Sequence, residues 1–153
     1  MANTYTQIHI QCVIAVKFRQ ASILPDFKER LHQYITGIIR NNGHRMIAIN
    51  SMPDHLHLFF GFRPDQSLSD LMRIVKSESS EWINKENYTP VKFRWQEGYG
   101  AFSYSRSHID IVVKYIANQD EHHKKMTFTE EYKTLLEKFG IEYNDKYIFS
   151  ALL

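Results

Sequence analysis

One run of eight residues constrains this chain more than any other: His55-Leu56-His57-Leu58-Phe59-Phe60-Gly61-Phe62. It follows a Pro53-Asp54 turn and reads as a β-strand rich in aromatic residues. Successive side chains on a strand point to opposite faces. His55 and His57 therefore share one face, while Leu56, Leu58, Phe60 and Phe62 share the other. A strand with one wholly apolar face must sit in a sheet that has a second layer packed on that face. The histidine face stays open to two readings. Two imidazoles on one face can chelate a single metal ion, or each can be hydrogen-bonded separately on a half-exposed strand.

The flanking sequence supplies the other elements. Ile8 to Phe18 reads as a strand. Asp26 with Glu29 three residues on forms a capping pair for a helix, in which Phe27, Leu31, Tyr34, Ile35, Ile38 and Ile39 recur at helical spacing and Gly43 is the stop. His44 to Asn50 is strand-like. A second helix opens at Ser67 with Asp70 as capping partner, and Leu68, Leu71, Met72, Val75, Trp82 and Ile83 make its apolar stripe. Tyr99 to Tyr104 reads as a strand, with Gly98 and Gly100 allowing a bulge or close backbone approach. Ser107 with Asp110 is expected to cap a third helix running over about 107–121. Thr127 with Glu130 caps a fourth, with Phe128, Tyr132, Leu135, Leu136 and Phe139 inward and Gly140 ending it. The order β-α-β-β-α-β followed by two helices predicts an α+β ferredoxin-like sandwich, an antiparallel sheet with helices on one face. That architecture hosts many functions, so the site must decide among them.

A second candidate constellation lies on the third helix. Tyr115 and Gln119 are four residues apart and so stack on one face. His108 and His122 fall near the same stripe, and Ile109, Val112, Val113 and Ile116 form a separate apolar one. The alternative is a tyrosine at the edge of the core beside a solvated amide. The adjacent pair His122-His123 cannot share a helical face and reads as a solvated helix end.

Length, charge and cysteine content narrow the setting. A chain of 153 residues is the size of one domain, 1–153, able to bury a core without staples. Cys12 is the one cysteine, so no intramolecular disulfide can form, which fits a reducing compartment. Met1 to Gln7 is polar and uncharged and does not resemble a signal peptide. No apolar run approaches the ~20 residues of a membrane helix. The expectation is a cytoplasmic protein with no membrane partner. The net charge of +2 says little about nucleic acid, but its distribution says more. Residues 1–62 carry six Lys/Arg against three acids, and residues 126–153 carry three against five, which makes the C-terminal segment the least suited to face DNA. Arg73 and Lys76 on the second helix, Lys92 and Arg94 before the fourth strand, and His122 are candidate DNA contacts, with a solvated charged face as the alternative. No zinc finger, helix-turn-helix or glycine-rich phosphate loop competes.

Three separated runs carry a resemblance. Met52-Pro53-Asp54-His55-Leu56-His57-Leu58-Phe59 resembles the His-hydrophobe-His motif of the HUH nucleases. Trp95 to Ser105 (WQEGYGAFSYS) and Val113 to His123 (VKYIANQDEHH) resemble one branch of them, the single-tyrosine transposases of small bacterial insertion sequences together with their REP-associated relatives. The likeness runs from about Tyr5 to Tyr143 in the same order and spacing. One departure is Tyr104, where a small or β-branched residue is expected, and no catalytic role falls on it. The resemblance implies that His55, His57 and Gln119 bind a divalent cation, Mg2+ or Mn2+, and that Tyr115 attacks a phosphodiester to form a covalent 5′-phosphotyrosine. It implies single-stranded DNA with hairpin ends as the partner. It also implies a bacterial cytoplasmic homodimer in which the Tyr115 helix of one subunit completes the histidine site of the other.

The chemistry is consistent with these residue types. A phenol with a reference pKa of about 10 is a poor nucleophile at neutral pH and needs a cation or a base beside it. A cation held by two imidazoles and an amide keeps open positions for a phosphate oxygen. Imidazoles alone favour Zn, Ni or Cu, so the choice of Mg or Mn rests on the resemblance. Other readings are a domesticated relative that processes repeated hairpins, a metal-dependent hydrolase using water, and a non-catalytic RNA-binding module with aromatic residues on an exposed sheet face.

Overall fold

The computed structural model describes residues 3–153. Met1 and Ala2, part of the segment read above as unlike a signal peptide, lie outside the described residues. Four antiparallel strands form one sheet: β1 (His9–Ala15), β2 (Arg45–Met52), β3 (His55–Gly61) and β4 (Gly100–Tyr104), in the order β2-β3-β1-β4. This is the ferredoxin-like order expected from the sequence. Strand β1 is central and buried along its whole length, pairing with β3 on one side and β4 on the other. The register sets His55 opposite Ala15, His57 opposite Val13 and Phe59 opposite Gln11.

The alternation on β3 is realised as read. Leu56, Leu58 and Phe60 face α1 (Pro25–Asn41) and α2 (Leu68–Lys85), joining Ile10, Cys12 and Ile14 of β1 and the apolar stripes of both helices in one core. The opposite sheet face is covered too, by α3 (Ile109–Ala117), α4 (Gln119–His122) and α5 (Phe128–Lys138). Phe59 packs against Val112 and Ile116 there, and Val13, Ala15 and Phe102 against Phe128, Tyr132, Leu135 and Leu136. The sandwich thus has three layers, with the C-terminal helices laid over the second face. An RNA-binding module reading bases on an open sheet has no such face here.

Local signals explain most helix boundaries, and the structure departs from them at two. Ser67 caps α2 by accepting from the Asp70 N–H at 3.0 Å, and Thr127 with Glu130 forms a full capping box on α5. Helix α1 does not start at an Asp26 cap. Pro25 occupies the first turn, where its missing N–H costs nothing, and Leu24 stands at the N-cap. The expected single helix over 107–121 is also divided. Arg106–His108 is a 3-10 turn, so Ser107 and Asp110 form no cap, and the chain breaks again at Asn118 before α4. Asn50 on β2 stabilises that break by donating to the Ile116 carbonyl at 2.8 Å. Gly98 has a left-handed φ of 81°, and Gly100 lies against the Tyr132 ring, where an added Cβ would come within 2.7 Å of the ring. The glycine at 100 is what lets α5 lie this close to β4. Among the described residues no helix is long and apolar enough to cross a membrane.

Candidate active site

Between the sheet and the C-terminal helices the packing changes from apolar to ionisable. His55 and His57 project from β3 into this layer and are wholly buried. The Phe128 ring lies parallel to the His55 ring at 4.1 Å and fixes its plane. Asp54, in the turn before β3, has Oδ1 2.7 Å from His55 Nδ1, so this ring donates from Nδ1 and turns Nε2 inward. Tyr115 comes from the last turn of α3, and Gln119 from just beyond the break at Asn118, fully buried.

All of these groups meet on one carboxylate. Glu131, from the first turn of α5, is 3 % exposed. Its Oε1 lies 3.3 Å from His55 Nε2 and 3.3 Å from His57 Nε2. Its Oε2 accepts from Gln119 Nε2 at 2.9 Å and from the Tyr115 hydroxyl in a short hydrogen bond. Gln119 Oε1 is 2.9 Å from His55 Nε2. His123 completes the cluster: its Nδ1 donates to the Met126 carbonyl at 3.0 Å, and its Nε2 lies 3.1 Å from both Gln119 Oε1 and Glu131 Oε1.

The electrostatics follow from burial and from this convergence. Burial alone would lower the His55 pKa, but its hydrogen bonds to Asp54 and Glu131 outweigh that and push it up to about 9. Burial would raise Glu131, yet three facing imidazoles, His123 first, hold it far below the usual carboxylate range. His57 is lowered, chiefly by burial. The Tyr115 phenol is pushed well above its ordinary value, first by burial and then by the Glu131 charge. The resting site is therefore a buried ion pair beside a neutral phenol.

The structure brings together four of the residues singled out by sequence: His55, His57, Tyr115 and Gln119. His122 does not project outward toward a strand of DNA. Its ring lies against the Tyr115 ring at 4.7 Å, and its Nε2 is buried without a partner. His108 is elsewhere, beside Ser105 and Tyr104. Two members were missed. His123 was read as a solvated helix end, yet its side chain is 9 % exposed and inside the cluster. Its spacing of four from Gln119 was the available signal. Glu131 is one of five acids in residues 126–153, which as a group read as a solvated, acid-rich segment. It falls between Phe128 and Leu135 at helical spacing, a charged residue in an apolar stripe, which is an anomaly that calls for a partner.

Of the basic residues, Arg73, Lys76 and Arg94 line one surface groove with Lys17, Trp95 and Tyr99, and Lys92 lies apart from them, near Arg19 and Val91. Lys76 is largely committed to the fold, donating to the carbonyls of Gln96 and Gly98 at 2.7 and 2.9 Å, and burial lowers its pKa. Arg73 is exposed and pairs with Asp70.

The donor chemistry fits a divalent cation. His55, His57 and Glu131 offer two imidazole nitrogens and a carboxylate oxygen within 4.8 Å of one another, and Gln119 adds an amide oxygen. Mixed nitrogen and oxygen donors with a carboxylate suit Mg or Mn better than imidazoles alone would. One chain supplies every member of the cluster.

Comparison with known proteins places these features. The sequence pattern of the family described as "Transposase IS200 like" matches residues 4–119. The ISDra2 transposase TnpA of Deinococcus radiodurans is 24% identical over 121 residues, covering 75% of this chain and 86% of the relative. A crystal structure described as a candidate transposase from Deinococcus radiodurans R1 superposes with a TM-score of 0.60 at 20% identity, over 76% of this chain and 94% of that one. A REP-associated tyrosine transposase bound to a REP hairpin superposes with a TM-score of 0.61 at 16% identity, over 99% of this chain and 94% of that one.

Proposed function

Because the chain belongs to the IS200-like transposase family, we propose that it cleaves and rejoins single-stranded DNA, with Tyr115 as nucleophile and His55, His57 and Gln119 as ligands of Mg2+ or Mn2+. One observation carries this reading: the nucleophile and the candidate ligands converge on the two oxygens of a single buried carboxylate, Glu131. Residues 1–153 act as one transposase domain.

Each residue has a part to play. Asp54 and Phe128 orient His55. Asn50 holds the end of α3 and so fixes Tyr115 against the sheet. A bound divalent cation would supply positive charge to a non-bridging phosphate oxygen and orient the phosphate. Glu131 Oε2 accepts the phenolic hydrogen bond and is placed to take that proton in concert with attack, since its lowered pKa disfavours transfer beforehand. The Tyr115 oxygen attacks phosphorus, the bond from phosphorus to the 3′ oxygen breaks, and the leaving oxygen departs as a 3′-hydroxyl by taking a proton from solvent, to which Glu131 gives up the phenolic proton. The tyrosyl 5′-phosphodiester conserves the energy of the broken bond, so the reverse attack by a 3′-hydroxyl rejoins the strand without ATP. Burial keeps Tyr115 protonated until substrate enters, which limits idle chemistry.

The substrate side rests on charge and aromatic surface. Arg73, Arg94 and Lys17 share a groove with Tyr99 and Trp95, a combination suited to a phosphate backbone with unstacked bases. Lys92 and His122 are weaker candidates on their positions. Movement of an element is the first reading, and processing of hairpins is the alternative suggested by the neighbour bound to a REP hairpin. The same geometry supports a site complete in one subunit, whether or not the protein dimerises.

The test is cleavage of one hairpin-bearing sequence, offered as a single strand and as perfect duplex, at matched salt with Mn2+. Cleavage of the single strand alone is expected, weakening as salt rises. Equal cleavage of the duplex would reject the reading in favour of a hydrolase. Mixing Tyr115→Phe with His55→Ala subunits is expected to leave activity absent, because each chain then holds one broken site.

A further inference from the structure

Gln11 and Tyr104 have no part in the chemistry above, yet they continue the line of His57 across three strands. His57 on β3, Gln11 on β1 and Tyr104 on β4 are diagonal neighbours on the sheet face that bears the site. Gln11 is fully buried, a costly place for an amide unless both of its ends are paired. Both ends are. Its Nε2 lies 2.9 Å from His57 Nδ1, and its Oε1 accepts from the Tyr104 hydroxyl at 2.9 Å. Val13 and Phe102 beside them show that this layer accommodates apolar side chains, so packing alone does not call for the polar pair.

The direction of these bonds has a consequence for His57. An amide NH2 only donates, so Nδ1 accepts and a neutral ring carries its proton on Nε2, facing Glu131 Oε1. A protonated nitrogen has no lone pair for a metal. Holding a cation at Nε2 therefore requires the ring proton on Nδ1, and Nδ1–H then needs an acceptor. Gln11 can provide one by turning its amide over, presenting Oε1 to the ring and NH2 to Tyr104. A hydroxyl accepts as readily as it donates, so Tyr104 can satisfy either orientation. The count of protons on the ring is the same in both states. His55 differs: its Nδ1 faces the Asp54 carboxylate, an acceptor that fixes one tautomer.

We infer that Gln11 and Tyr104 are positioning residues that form a reversible relay, setting His57 as the Nε2–H tautomer without a cation and as the Nδ1–H tautomer with one. The inference rests on His57 being a metal ligand. It gives the site one ligand whose Nδ1 proton is held in place by Asp54 and one whose ring proton is switched, and it assigns a role to Tyr104, the residue that departs from the family pattern.

The experiment uses the full chain. Ring nitrogens of His57 are followed by long-range 15N–1H NMR with and without Mg2+, and Mn2+ affinity is measured from the EPR signal of free Mn2+. The expected result is a change from Nε2–H to Nδ1–H on adding Mg2+. Gln11→Leu should weaken Mn2+ binding ~10–100-fold, the range for loss of a partner behind a ligand. Gln11→Glu can only accept, so it should show Nδ1–H even without cation and bind Mn2+ at least as tightly as the unaltered chain. Tyr104→Phe should weaken binding by less than Gln11→Leu. If Gln11→Leu fails to fold, the Gln11→Glu spectrum decides. The relay is overturned if His57 is already Nδ1–H without cation, if Gln11→Glu leaves the cation-free tautomer unchanged, or if a folded Gln11→Leu binds Mn2+ normally. His57→Ala separates the two levels. If it binds Mn2+ like the unaltered chain, or if the unaltered chain binds none, the metal reading falls and the relay with it. If His57→Ala loses Mn2+ and Gln11→Leu does not, only the relay falls.

Discussion

The two faces of the sheet are built from the same four strands and solve opposite problems. On the α1/α2 face, neighbouring β3 residues are Leu56, Leu58 and Phe60, and the few buried polar groups are spread apart in small local pairings, as His32 Nε2 with Ser51 Oγ at 2.8 Å and Trp95 Nε1 with Ser79 Oγ at 3.0 Å. On the α3–α5 face, the intervening residues His55 and His57 meet Tyr115, Gln119, His123 and Glu131 in one cluster. The first face supplies hydrophobic stability and holds β3 rigid. The second concentrates desolvated charge, which is a poor source of stability and a good source of reactivity. A strand with period two is the device that lets one segment serve both.

Adjacent substitutions on β3 should separate the two roles. Leu58→Ala removes a fully buried side chain from the apolar face and should cost about 2–5 kcal/mol in denaturant unfolding. Its cleavage per folded molecule should be unchanged. His57→Ala, one residue away, should lower cleavage by about 10³-fold, the scale of losing several kcal/mol of transition-state stabilisation, with a smaller change in stability. Comparable activity loss in both variants, after correction for folded fraction, would erase the distinction between faces.

Glu131→Gln sharpens the comparison within the second face. It keeps the shape and removes the charge that three imidazoles share, leaving a neutral amide that cannot take the Tyr115 proton. Single-turnover cleavage should fall by about 10²-fold, the lower end for losing a positioned base. Wild-type rates would make Glu131 a packing residue only.

The smallest effect belongs to the first face. Burial pushes His32 down to about 4, so its folded form resists protonation. The unfolded chain takes the proton near pH 6.5. The stability associated with neutral His32 is therefore complete above about pH 6.5 and is lost as pH falls toward 4, by roughly 2–3 kcal/mol. The difference in unfolding free energy between the unaltered chain and His32→Asn, followed from pH 7.5 to 4.5, should shrink across that window. A constant difference would show that His32 titrates alike in both states.

These contrasts also explain what was legible before the fold was known. Period-two alternation placed His55 and His57 on one face, and a spacing of four placed Tyr115 beside Gln119, because both are local rules. The strand order, the N-cap at Ser67 and the capping box at Thr127 were legible for the same reason. Glu131 was not, since its meaning depends on α5 folding back over β4 against Gly100, a contact between segments about 30 residues apart in sequence. The acid excess of residues 126–153 pointed away from the site, although one of those acids is its centre. The divided α3–α4 segment was hidden as well. Its break is stabilised by Asn50, from the far edge of the sheet, and nothing near Asn118 in sequence announces that partner. The Tyr104 hydroxyl has no local partner in sequence, because its hydrogen bond to Gln11 crosses strands.

The central claim is that Tyr115 becomes covalently joined to DNA in a site assembled on the histidine face. The direct measurement is peptide mapping by mass spectrometry after the full chain is incubated with a hairpin-bearing single strand and Mn2+. One adduct is expected, a 5′-phosphonucleotide on the peptide containing Tyr115, absent without divalent cation and absent in Tyr115→Phe. Strand cleavage with no adduct, or an adduct on any other residue, or undiminished cleavage by Tyr115→Phe, would contradict it.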